Sequence, residues 1–306
     1  MPRVYPTLCC LAALAAVSCG GPPEAGRRVV ETRRHMGVSW TITAYGPADT
    51  TAAAVGAAHD EVARLEAILS DYDPTSELSR LSAAAPTREP VTVSDDLWSV
   101  LCRAVAVRDA SDGGFDPTVG PLTTLWRQVR RTGVLPEPDK LAAARAAVGR
   151  DTLVLHPDQH AVSLTQPAMR LDLGGIGMGV AADRAVDVLR RHGIEAGMVD
   201  ASGDIAVFGV PPGKNAWRIA MAPLGRLEAE SGELTLVDAA VTTSGDAFQA
   251  VTIDGVRYGH VVDPRSGLGV AGPAAVTVIA PDCTTADALA TAALALGRDR
   301  GMRLIE

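Results

Sequence analysis

The sequence predicts an α+β fold, mixed sheets with flanking helices, in a single unit that can divide into two subdomains. Three observations lead there. Apolar residues keep a helical spacing through much of the first half, short strand-like runs crowd the region after about residue 150, and the order is helices then strands rather than a regular βαβ alternation. Of the 306 residues, 47% are hydrophobic and 21% charged, which excludes a disordered chain. Aromatics are only 4%, so the core must be built from Val, Leu, Ile and Ala.

Val38, Trp40, Ile42 and Ala44 alternate with polar residues and read as a strand. Val55, Ala58, Val62, Leu65 and Leu69 keep a helical spacing; Leu97, Leu101, Val105 and Ala106 open a second helix with Ser94 or Asp95 as cap. Leu122, Leu125 and Trp126 suggest a short helix, and Lys140 to Val148 another. Strands are expected at Leu153–Leu155, Val162–Leu164 and Met169–Leu171, followed by a helix from Val180 to Arg191. Further strands fall at Gly197–Val199, Ile205–Phe208, Trp217–Met221, Glu233–Val237, Ala250–Ile253 and Val276–Ile279. Asp254-Gly255 marks a two-residue hairpin, and Ala286 to Leu296 forms a closing helix.

The N-terminus reads as an export signal. Thr7 to Ser18 is an apolar run too short to span a bilayer, ending at Ala16-Val17-Ser18-Cys19 with Gly and Pro behind it. This resembles a bacterial lipoprotein signal, with residues 1–18 removed, Cys19 lipidated and residues 19–30 a tether to a domain spanning 31–306; an ordinary signal peptide cut nearby is the alternative. The expected location is the outer face of a membrane, held by that lipid. Cys102 and Cys283 then remain and could pair, but two cysteines are no disulfide framework. The net charge is -8 and no basic run exceeds two residues, so nucleic-acid binding has no electrostatic footprint.

One segment imitates a dinucleotide-binding turn. Asp172-Leu173-Gly174-Gly175-Ile176-Gly177-Met178-Gly179 runs from strand to helix, but its glycines do not fall as GxGxxG and no βαβ series flanks it. Gly-rich backbone opening a helix still presents N–H groups to an anion, or else simply permits tight packing. The other clusters of Gly, Asp, Ser and Thr are His35-Met36-Gly37, Asp71 to Leu81, Gly114 to Leu122, Ala201 to Ile205, Thr243 to Asp246, His260 to Gly267 and Ala286 to Thr291. Residues of this kind at element ends place backbone groups against a ligand.

Taken together and in this order, these segments resemble the bacterial FAD:protein FMN transferase family, the ApbE family, from about Met36 to Leu304. The resemblance implies an exported enzyme that transfers FMN from FAD onto a Thr or Ser hydroxyl of an acceptor protein, with Mg²⁺, releasing AMP. An FAD pyrophosphatase using water as acceptor and a non-catalytic flavin-binding lipoprotein are the alternatives. The resemblance places Met36, Tyr72, Gly114, Phe115, Asp116, Asp172, Met178 and Val262 around FAD. Core packing is the plain alternative for Tyr72 and Phe115. Val38 replaces the family's Thr, and Met178 stands where the family usually has a polar residue.

Asp287 and Thr291 are i and i+4 on the closing helix, so their oxygens share one face, suited to a hard cation. Spacing alone favours Asp287 as a cap of that helix, since it follows Thr284-Thr285 in the first turn. The resemblance assigns both to the metal, with the backbone carbonyl near Gly175. It also marks His260 as a functionally important histidine, able to take the proton of the attacking hydroxyl, with Asp246 as the rival base. Arg265 could offset phosphate charge or close the turn with Asp263.

Overall fold

A computed structural model describes residues 26–220, 232–246, 249–272 and 274–306. The expected signal 1–18, Cys19 and the end of the expected strand at Met221 lie outside the described residues. Strands β1 (Arg27–His35) and β2 (Val38–Gly46) form a hairpin, followed by helices α1 (Ala48–Leu69) and α2 (Glu77–Ala83). Next come β3 (Val91–Thr92), α3 (Asp95–Ala110), α4 (Gly120–Thr132), α5 (Pro138–Ala146), β4 (Leu153–His156), β5 (Ala161–Leu164) and α6 (Gly177–Arg191). The second half contributes β6 (Ala196–Ala201), β7 (Asp204–Phe208), β8 (Trp217–Ala220), β9 (Glu233–Leu236), β10 (Ala239–Gly245), β11 (Ala250–Ile253), β12 (Val256–Val262), β13 (Gly269–Ala271) and β14 (Ala275–Ala280). Helices α7 (Cys283–Leu296) and α8 (Arg298–Ile305) close the chain. None of the described helices is long and apolar enough to cross a membrane.

The frame is an antiparallel sheet in the order β1-β2-β6-β7-β10-β14. Helices α1, α6 and α7 pack against one another and on this sheet. Trp40, Ile42 and Ala44 of β2 point into that layer, as their alternation predicts. Ala286, Ala288, Ala290 and Ala292 of α7 are buried in it, and such small side chains let helix backbones approach closely. At Gly179 on α6 a Cβ would stand 2.4 Å from the Cys283 carbonyl oxygen, so that crossing requires glycine. A second core places the β8–β9 hairpin, through Trp217, Ile219 and Leu236, against Ile205, Val207 and Val241. A third packs Leu122, Trp126 and Val129 of α4 against Ile253 and Val262.

Two sequence expectations are corrected, and the open question of the two cysteines is answered. The tether is shorter than 19–30, because β1 begins at Arg27 and pairs with β2 along its full length. Arg27, Arg28, Arg33 and Arg34 interrupt any apolar alternation there, as suits a charged edge strand. Met169–Leu171 is extended but joins no ladder: Arg170 makes a single bridge with Val119, while the Leu171 and Asp172 amides donate to Ser82 Oγ and the Pro117 carbonyl. Cys102 and Cys283 are both free. The short helix expected near Leu122 extends to Thr132, ended by left-handed Gly133, and Ser76 caps an unforeseen α2.

Candidate active site

The ends of α6 and α7 meet. Asp282 caps α7 through the Thr285 amide, and Asp183 on α6 accepts from the Cys283 and Thr284 amides at 2.8 and 2.9 Å. Both capping duties are thus filled by other carboxylates, and Asp287 is free of them. It is 4% exposed and accepts from the Gly179 amide at 3.0 Å. One turn on, Thr291 Oγ1 stands 3.1 Å from Ser244 Oγ, and a Cβ on Gly175 would come within 2.8 Å of the Thr291 side chain. Gly175 thus lies against Thr291, with Asp287 one turn back on the same helix. Asp204, at the start of β7, is a fourth member that sequence reading quoted but did not assign.

Burial pushes the Asp287 carboxyl up to about 7. Burial, reinforced by the charge of Asp287, pushes Asp204 well above the carboxylate range. Neither carboxylate makes a salt bridge among the described residues. Two buried carboxyls facing each other, with hydroxyls and glycine backbone beside them, are an oxygen-only donor set of the kind a hard divalent cation takes. No cluster of three His, Cys, Asp or Glu poised for a metal occurs among the described residues, so a cation here would draw on hydroxyl, carbonyl and ligand oxygens too.

His260 lies on β12 beside Asp246, lining a small cleft with Gly245 and Leu294. Its Nδ1 is buried without a hydrogen-bond partner among the described residues. Burial, and secondarily the charge of Arg130, holds the imidazole below its ordinary pKa, against an opposing pull from Asp246. The ring is therefore neutral near pH 7 and able to accept a proton. Asp246 suits that role less well than expected. Its Oδ2 is ion-paired with Arg257 Nε, its Oδ1 accepts from the Ala274 amide, and Arg257 also donates to its carbonyl at 2.7 Å. With both carboxylate oxygens occupied, Asp246 holds Arg257 and the β10 end beside His260 rather than competing for a proton.

The third cluster joins Tyr72 to Asp172. Asp172 accepts from the Gly174 amide at 2.8 Å and from Thr123 Oγ1 at 2.7 Å. Arg127 Nη2 donates to the same carboxylate at 3.2 Å, and its Nη1 stands 2.6 Å from Asp71 Oδ2. The Arg127 guanidinium lies 4.0 Å over the Tyr72 ring, which is 74% exposed. Core packing is thus excluded for Tyr72. Thr123 and Arg127 were missed, although their i, i+4 spacing on α4 places them on one helix face.

Gly114, Phe115 and Asp116 lie against the far end of α7. A Cβ on Gly114 would meet Leu296 at 2.5 Å, and Asp116 accepts from the Thr118 amide at 2.8 Å. A groove of about 380 Å³ is lined by Asp112, Gly113 and Asp116 together with Pro264 and Arg265, with Arg145 and Arg150 also lining it. Arg265 closes its turn on Asp263 at 2.8 Å and donates to the Ala295 carbonyl, which settles its two readings toward structure. The side chains of Phe115 and Val262 are buried in the first and third cores, which leaves their backbone as the part open to a ligand. Met178, on the uncapped first turn of α6, is partly packed on the main core. Met36 is partly buried against the main core, at φ 48° in the left-handed turn with Gly37 that joins β1 to β2.

An antiparallel sheet under helices, with Gly-rich loops gathered around buried carboxylates at the helix ends, defines an α+β nucleotide-handling type of site rather than a Rossmann one. The profile of the ApbE family matches residues 36–306, and the chain belongs to that family. A Vibrio cholerae FAD:protein FMN transferase is 34% identical over 242 residues, covering 78% of this chain and 72% of the relative. The Treponema pallidum protein of the same name is 31% identical over 307 residues, covering 94% and 84%. Among solved structures, apo flavinyl transferase ApbE of Pseudomonas stutzeri superposes with a TM-score of 0.81 at 29% identity, covering 93% of this chain and 89% of that one.

Proposed function

We propose that this protein is a Mg²⁺-dependent FMN transferase, moving FMN from FAD onto a Thr or Ser hydroxyl of an acceptor protein and releasing AMP. The observation that carries this reading is the pair of buried carboxyls, Asp287 and Asp204, gathered with Thr291, Ser244 and Gly175. Asp287, Thr291 and the carbonyl of Gly175 would hold the metal. When bound, it would neutralise the diphosphate oxygens, as phosphoryl transfer requires.

The chain's own residues supply the rest. Tyr72 offers an open aromatic face to a flat ring, and Asp172 fixes the neighbouring Gly-rich turn. Gly113 and Asp116 border the groove offered to the nucleotide. Neutral His260 takes the hydroxyl proton as the acceptor oxygen bonds to the FMN phosphorus, and the bond from that phosphorus to the bridging oxygen breaks with AMP as leaving group. The reading extends to an exported protein carrying a lipid on Cys19, supported by the short apolar run ahead of it. Mass spectrometry of membrane-extracted protein tests that extension; a soluble product beginning elsewhere overturns it.

The deciding experiment mixes mature protein, FAD, Mg²⁺ and an acceptor bearing an Asp-x-Ser/Thr-Gly-Ala-Ser/Thr-x-Thr segment. A fluorescent acceptor with an FMN-sized mass increase is the expected result. Free FMN and AMP without acceptor labelling would instead define an FAD pyrophosphatase, and FAD binding without turnover a flavin carrier.

A further inference from the structure

We infer that Arg127 is a positioning residue for the flavin nucleotide: one guanidinium fixes the Tyr72 ring plane and the Asp172 carboxylate into a single wall of the site. The inference rests on the flavin-transfer reading above. Arg127 makes three contacts at once, with Asp71 at 2.6 Å, Asp172 at 3.2 Å and the Tyr72 ring at 4.0 Å. The two carboxylates are buried, at 6% and 9% exposure, and Arg127 is the one side chain ion-paired with either among the described residues. Arg170 reaches only the Asp71 carbonyl.

Tyr72 is otherwise exposed, and an exposed ring samples several rotamers. The guanidinium lies on one face and leaves the opposite face to solvent, preset for stacking with isoalloxazine or adenine. The same cation offsets one of the two negative charges that Asp71 and Asp172 would present to a diphosphate. A lysine would not replace it, because a point charge cannot bridge two carboxylates and lie flat on a ring. Arg127 makes no described hydrogen bond or salt bridge to His260, Asp287 or Thr291, so its effect falls on nucleotide binding rather than on the chemical step.

The test uses mature protein with Mg²⁺. FAD affinity, from quenching of flavin fluorescence, and steady-state turnover are measured for wild type, Arg127→Ala, Arg127→Lys, Tyr72→Ala and the Arg127→Ala/Tyr72→Ala double variant. Thermal melting is recorded for each. Arg127→Ala and Tyr72→Ala are each expected to raise Kd and KM for FAD about ten-fold with kcat nearly unchanged. Lysine should not restore binding, and the double variant should lose little more than either single one. Additive losses, rescue by lysine, or a fall in kcat at constant KM would overturn the role. Should Arg127→Ala melt at low temperature, Arg127→Lys and Tyr72→Ala carry the comparison, and FAD affinity equal to wild type in both overturns it. Wild type that fails to bind FAD removes the flavin reading itself; wild type that turns over FAD beside an unaffected Arg127→Ala removes only the positioning role.

Discussion

His260 and Asp246 are neighbours with opposite electrostatic situations. The imidazole keeps a buried, unpartnered Nδ1, whereas the carboxylate is held by Arg257 and a backbone amide. His260→Gln should lower kcat by about 10²–10⁴-fold, the usual span for losing a general base. Because burial lowers the imidazole pKa, the wild-type rate should climb with pH along a limb lying below about 6.5 and be flat above it. A limb centred above that value in kcat/KM measurements would argue against His260 as the proton acceptor. Asp287→Asn removes the charge while keeping the size of a side chain that already lacks an ion-pair partner. It should abolish turnover and leave thermal stability near wild type; full turnover by this variant in a chelator would end the metal reading.

Elements explain which parts of the site can be read from sequence. The β2 alternation and the α1 spacing are legible because each has one buried face, and burial imposes the period. Asp287 and Thr291 share a face one turn apart, but spacing alone favours a cap, and their assignment to a metal comes from the family resemblance. The Arg127–Asp172 pair joins residues 45 apart and is invisible to local pattern. Strand β1 is hidden by its arginines, since its register comes from β2 rather than from its own hydrophobicity. The α6–α7 crossing shows how packing sets chemistry: Gly179 both permits the close approach and supplies the amide that holds Asp287. Gly179→Ala should cost about 1–3 kcal/mol of stability by overpacking. It should also weaken Mg²⁺ dependence of turnover, because the helices must separate. Calorimetry with a Mg²⁺ titration checks both, and an unchanged melting point with unchanged Mg²⁺ response would count against the crossing's role.

Across the whole molecule, stability carries a pH signature. His35 and His59 stack at 5.3 Å between ring centroids, with His35 Nε2 and His59 Nδ1 buried and without a hydrogen-bond partner among the described residues. Burial lowers both pKa values. Between the lowered folded values and about 6.5 the unfolded chain binds more protons, so stability falls as pH falls through that window. The wild-type melting temperature should therefore drop from pH 7 to 5.5 more steeply than that of His59→Gln. Both proteins retain Asp287, whose raised pKa acts in the opposite sense, so the comparison isolates the histidine. Parallel melting curves would refute it.

The early start of β1 also sets a length. On the proposal that Cys19 carries a lipid, residues 20–26 would separate that anchor from the folded edge strand. Fully stretched, such a segment reaches about 25 Å. The enzyme would then work on a short leash, confined to a thin layer above the membrane. Acceptor hydroxyls within that layer would meet the active site repeatedly at high local concentration, and substrates diffusing farther out would be excluded by geometry rather than by recognition.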